Sequence, residues 1–195
     1  LSENKPIGEI VEVKDSAEVI AELYNENLSL LKDNLFRSEN NRISTIYICE
    51  KLYKEPVDRE RRVVALNLPY EEIIKKYPQE KFLIKDYALL YITGSISGEK
   101  FFSSVQISNI GAHTRIYPFT EDEYRFFINN KDALLSLLLS IYNNRNIVPA
   151  IKPILNSFFK IDDSVEFITS LYKAVTTIFR NDYMLIRDIV SSFPR

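Results

Sequence analysis

With 195 residues, 46% of them hydrophobic and 27% charged, the chain is long enough to bury one substantial core and reads as a globular domain. The formal net charge is −2, with fifteen Lys/Arg against eighteen Asp/Glu in residues 1–100 and ten against nine afterwards, so neither half is a basic arm for nucleic acid. One histidine and one cysteine, His113 and Cys49, exclude Cys/His zinc sites, His-pair metal sites, CxxC redox pairs and internal disulfides.

The apolar spacing reads as strands first and helices afterwards. Ile7–Val13 mixes β-branched residues over a short span and predicts a strand. Val19, Ile20, Leu23, Leu28, Leu31 and Leu35 then fall near helical spacing, and Asp15 with Glu18 has the form of a capping box, so a helix is expected there. Ile43–Lys51 and Arg61–Leu68 read as strands, while the polar stretches 36–42 and 54–62 read as loops. Pro69 suits the first turn of a short helix over Tyr70–Tyr77. Phe82–Thr93 and Phe101–Ile110 flank Gly94–Glu99 as the arms of a hairpin. The second arm alternates Phe101, Ser103, Val105 and Ile107 with Phe102, Ser104, Gln106 and Ser108, the pattern of a half-exposed antiparallel strand.

After residue 120 the pattern becomes helical. Thr120 with Glu123 repeats the capping signature ahead of Tyr124, Phe127 and Ile128, and Ala133–Tyr142, apolar nearly all round, predicts a buried helix. Pro149 and Pro153 break or restart the chain. Asp163 with Glu166 is expected to cap a helix over Val165–Arg180, with Ile168, Tyr172, Val175 and Phe179 in one stripe and Phe167, Leu171 and Ile178 in the next. A short helix over Tyr183–Ser192 stops before Pro194. The fold class is therefore α+β: a mostly antiparallel sheet in the N-terminal part with a helical C-terminal part packed on it. It is read as a single domain over 1–195, strand-rich to 118 and helical over 119–195. The longest apolar run, Ala133–Leu139, is broken by Ser136, so no membrane span is expected; the polar first residues do not form a signal peptide, and a cytoplasmic location follows.

Chemistry has few places to reside. Gly94 and Gly98 have the spacing of a serine elbow, but Ile96 occupies the nucleophile's position, so a hairpin turn is the better reading. His113 could serve as a general base only if the fold brought Asp86 or Glu99 to it; otherwise it is a loop histidine. Asp86 with Glu99 and Lys100 loosely matches the acid and acid-Lys pattern of metal-dependent nucleases. However, Glu99 and Lys100 are adjacent and would point to opposite faces of a strand. Glu71, Glu72, Asp162 and Asp163 read as helix N-terminal charges. Arg59, Arg61 and Arg62 form the densest basic segment and could touch a phosphate backbone, or be a solvated loop. Cys49 is expected to be a buried, inert thiol.

Two function classes remain open. In the first, the chain is a non-catalytic subunit that dimerises with itself and binds other proteins. Its partner surface would be built from Tyr117, Phe119, Tyr124, Phe167, Leu171 and Ile178, with no cofactor, no metal and no catalytic residue. RNA contact on this reading is indirect or weak. In the second, it is a metal-dependent nuclease using Asp86, Glu99 and Lys100. In length, acidic balance, Ile/Tyr/Asn/Lys-rich composition, strands preceding helices, and the opening Pro6-Ile7-Gly8-Glu9-Ile10-Val11, the chain resembles the small accessory subunit of archaeal Cmr complexes, the RNA-targeting CRISPR effectors of antiviral defence. That resemblance implies a dimeric, non-enzymatic component bound to other Cmr proteins, and it carries over no functional residue.

Overall fold

Alternation of buried and outward side chains makes the N-terminal strands into the walls of a barrel. The computed structural model describes residues 5–15, 17–24, 35–40, 43–56, 70–76, 78, 84–103 and 110–194. Among them are seven strands: β1 (Gly8–Val13), β2 (Glu18–Leu23), β3 (Leu35–Asn40), β4 (Ile43–Pro56), β5 (Ile84–Ser97), β6 (Lys100–Phe102) and β7 (Arg115–Pro118). They lie in the order β2-β1-β7-β3-β4-β5-β6, every pairing antiparallel, and a further pairing of β2 with β5 closes six of them into a barrel. The α+β expectation holds, and the sheet is more specifically a closed barrel.

One set of alternating residues fills the barrel: Ile10, Val19, Ala21, Phe36, Tyr47, Ala88, Leu90 and Ile116 belong to a single core cluster. Their sequence neighbours Leu35, Ile46 and Ile48 belong to a second cluster, shared with the helices. The β3–β4 wall is thus apolar on both faces, which is why Ile46-Tyr47-Ile48 shows no polar alternation. Two register shifts between β4 and β5, with Thr93 the extra residue on β5 and Glu50 the extra residue on β4, are bulges of the kind that bend a strand around a barrel. Near one end the interior turns polar, with Ser38, Thr45 and Ser95 buried and the Ser38 and Tyr47 hydroxyls 2.7 Å apart.

Several sequence expectations change. Over Glu18–Leu23 the helix expected from residue 15 is instead β2, because Val19, Ala21 and Leu23 point into the barrel and both strand edges are paired, to β1 and to β5; 25–34, with Leu28 and Leu31, lie outside the described residues. Asp15 does cap, but its carboxylate accepts from the Ala17 and Glu18 amides (2.7 and 3.0 Å) in the turn between two strands. The loop expected over 36–42 is strand β3 through Asn40. Likewise β4 continues to Pro56; the remainder of 54–62 and the strand expected over Arg61–Leu68 lie outside the described residues. The hairpin after Phe82 is present but tighter, with only Gly98 and Glu99 between β5 and β6. Gly98 has φ +60°, the conformation a two-residue turn demands of its first residue. Gly94 lies within β5, where a Cβ would sit 2.4 Å from the Phe101 ring. The second arm is strand only over β6, and 104–109 lie outside the described residues.

The helices are α1 (Tyr70–Lys76), α2 (Glu121–Asn129), α3 (Lys131–Tyr142), α4 (Ile151–Phe159), α5 (Val165–Ile178) and α6 (Tyr183–Val190), with a 3₁₀ turn at Val148–Ala150. The capping box on α2 is present in both directions, Thr120 to the Glu123 amide and Glu123 back to the Thr120 amide. On α3 the buried face is Ala133, Leu134, Leu137, Leu138 and Ile141, but Leu139 is exposed, so the helix is not enclosed all round. Pro149 lies in the 3₁₀ turn, and Pro153 in the first turn of α4, where a missing N–H breaks no helical bond. The cap of α5 is Ser164 rather than Asp163: the Ser164 hydroxyl accepts from the Phe167 amide at 3.2 Å. Aromatic edges knit α2 to α4 through Tyr124–Phe158, at 5.1 Å between ring centroids.

Candidate interaction surface

The carboxylates of the nuclease reading do not meet. Asp86 lies low on β5, 3.5 Å from Lys54, whereas Glu99 and Lys100 are at the hairpin end, roughly 35 Å away along the extended strand. Among the described residues no group of three or more His, Cys, Asp or Glu side chains is placed to hold a metal ion. His113 is not brought to Asp86 or Glu99. It occupies a turn with φ +67° and lies 3.5 Å from Glu9, well exposed. Cys49 is half-buried beside the β4 bulge at Glu50, not sealed in the core. Arg59, Arg61 and Arg62 lie outside the described residues.

Two clefts flank the barrel wall. The larger, about 700 Å³, lies on the outer face of β2, β5 and β4 and is lined by Lys14, Lys51 and Lys54 together with Glu12, Glu55 and Tyr53. Its charges offset one another: Lys54 pairs with Asp86, and Lys51 lies over the Tyr53 ring, which stacks on Tyr87. The smaller, about 270 Å³, lies between Cys49-Glu50 and the residues around the 3₁₀ turn. Burial, then the nearby Glu18 charge, pushes the Glu50 carboxyl above its ordinary range. Among the described residues neither cleft is lined by a Ser, Thr or His.

The helical layer offers something different. Of the residues expected to form a partner surface, Tyr124, Phe167 and Leu171 are buried in this chain's own core, 6, 7 and 1% exposed. Tyr117 is half-buried, with the Arg37 guanidinium 5.3 Å from its ring centroid. Phe119 packs against Tyr124 and Phe127, and Ile178 is half-buried against the same core. Of the residues expected to form that surface, the three on α5, Phe167, Leu171 and Ile178, face this chain's own core. The large apolar side chains of this layer that point outward are Leu139 (42% exposed) on α3, Val165 (80%) and Tyr172 (47%) on α5, and Tyr183 (74%) and Met184 (70%) opening α6. Sequence spacing contained the signal: Val165, Thr169, Tyr172 and Thr176 form a stripe opposite Phe167, Leu171 and Val175. A groove of about 250 Å³ between α3 and α5 borders this face, its rim carrying Lys131 and Lys173.

No protein-family model matches the chain, and no curated protein does either. Among the described residues no helix is long and apolar enough to cross a membrane.

Proposed function

We propose that the chain is a non-catalytic subunit of a multiprotein complex, acting through protein–protein contacts and self-association, within the Cmr type of assembly that its sequence resembles. The observation that carries this reading is the outward α5–α6 face. Three large apolar side chains at 70% exposure or more stand out on these two helices, Val165 at the start of α5 and Tyr183 and Met184 at the start of α6, on a molecule whose barrel is filled with its own side chains. Surface of that kind favours a protein occupant over a small substrate. Any RNA in such a complex is met through the partner proteins, since the lysines of the large cleft share it with Glu12 and Glu55 and Lys54 is paired with Asp86.

The test is native purification of the protein from its source cells, with mass spectrometry of what accompanies it and light scattering of the pure chain. A defined set of co-purifying subunits is the expected result. A monomer recovered without companions overturns the proposal.

A further inference from the structure

We propose that the outer face of α5 is a self-complementary surface on which a second copy of this chain docks, the two α5 helices running antiparallel about a two-fold axis. This rests on the reading of the chain as a self-associating subunit and names the surface and its register. Val165, Thr169, Tyr172 and Thr176 are spaced four, three and four residues apart, the spacing of a two-helix seam. Val165, Thr169 and Tyr172 are exposed and Thr176 is half-buried, while Phe167, Leu171 and Val175 hold the opposite side of α5 in the core. Thr176 adds apolar surface, because its hydroxyl is occupied by the Tyr172 and Lys173 carbonyls (2.9 and 3.1 Å) and its methyl is left for the seam.

The charges select the occupant and its direction. Glu166 and Lys173 each follow a seam residue by one position, so they share a flank of α5 two turns apart, and both are exposed. Among the described residues neither has an ion-pair partner within its own chain. In a parallel two-fold pair this flank would face the opposite flank of the partner, so Glu166 and Lys173 would lie on separate sides of the seam and not meet. An antiparallel copy layers Val165 against Thr176 and Thr169 against Tyr172, and brings each Glu166 level with the other copy's Lys173 to within about 3 Å along the axis. The two-fold then makes the attraction twice, as an isologous interface requires. At 14 residues α5 is about 21 Å long, so this helix pair alone is smaller than a standard stable interface. The dimer is therefore expected to be concentration-dependent.

Sedimentation velocity over a dilution series, on wild type, Glu166→Lys, Lys173→Glu and the double exchange, tests the register. The single reversals should each weaken dimerisation about tenfold or more, since both symmetry-related pairs become repulsive, and the double exchange should restore it. All positions are exposed, so at concentrations where the chain is monomeric the thermal melt should shift only slightly, by the first-turn charge that Glu166→Lys reverses at the start of α5. A dimer insensitive to all three variants, or singles that weaken it without rescue by the exchange, overturns the α5 register while leaving the subunit reading standing. A chain that stays monomeric at every concentration yet co-purifies with other proteins does the same.

Discussion

Arg37 Nε lies 2.6 Å from Glu123 Oε1, and through that pair the barrel is joined to the helical layer. Arg37 comes from β3 and is almost wholly buried, with Glu39 as a second carboxylate partner. Glu123 is also the third residue of the α2 capping box, where its other oxygen accepts from the Thr120 amide at 2.7 Å. The Arg37 Nε–H is not aligned for a hydrogen bond, so the attraction is mainly between charges. One glutamate thus starts a helix and neutralises a buried cation.

Glu123→Ala should accordingly cost more than Thr120→Ala. Loss of the cap alone is worth about 1 kcal/mol. Leaving Arg37 with one partner adds part of the roughly 3–5 kcal/mol of a broken buried pair. Urea unfolding of the two variants checks this, and equal losses would show that Arg37 does not depend on Glu123.

Tyr47 should give the protein an alkaline limit. Burial, only partly offset by hydrogen bonds from Ser38 and Thr45, pushes its phenol up to about 12. Below pH 10 the phenol is neutral in both folded and unfolded chains, and stability is unaffected. As pH rises from about 10 to about 12 the unfolded chain loses the proton first, so stability falls, by roughly 2–3 kcal/mol in total. Tyr47→Phe removes that portion of the slope. A pH series of unfolding midpoints in which the variant declines as steeply as wild type would contradict this.

At Glu50 the sign is similar but the range is acidic to neutral. Its raised carboxyl pKa favours the protonated, folded form, so stability falls as pH rises above the ordinary glutamate range. Glu50→Gln should be more stable than wild type at pH 7, and the difference should close in acid where both side chains are neutral. Urea midpoints at the two pH values decide it; a Gln variant less stable at pH 7 would mean that the carboxylate is stabilising.

Gly94→Ala should open the hairpin. A methyl there meets the Phe101 ring at 2.4 Å and the Phe102 carbonyl at 2.5 Å, so β6 must lift and Phe101 must leave its edge contact with Phe127. About 1–3 kcal/mol of overpacking is expected. Removing the ring as well, in Gly94→Ala/Phe101→Ala, should not recover it, because the backbone oxygen remains in the way.

The two faces of α5 separate by stability. Leu171→Ala should cost about 2–5 kcal/mol, whereas Val165→Ala should stay within about 0.5 kcal/mol of wild type in dilute monomer. Thermal denaturation of both at low concentration is sufficient. A large loss at Val165 would place it in a core and not on the surface.

Local signals were legible in the sequence and long-range ones were not. The Thr120–Glu123 box could be read directly because both partners lie within one turn of chain. The segment from Val19 to Leu23 could not, since its apolar residues satisfy period two and period 3.6 alike until β1 and β5 are known to flank it. Arg37 and Ser38 looked like loop residues because their burial depends on Glu123, far away in sequence, and on Tyr47 across the β3–β4 pair. On α5 the helix was evident and its orientation was not: both stripes contain large apolar residues, and only the neighbouring helices decide which is covered.

The four residues of β7 have a consequence for how the chain is made. They fit between β1 and β3, pairing Gly8 with Ile116 and Phe36 with Pro118, so two early strands wait for a partner that follows them by about eighty residues or more. During synthesis each of those strands carries an unsatisfied edge until Arg115–Pro118 has left the ribosome. Assembly of the barrel is therefore timed by one of its shortest pieces, and a ribosome stalled before that point holds a nascent chain primed to pair with the wrong neighbour.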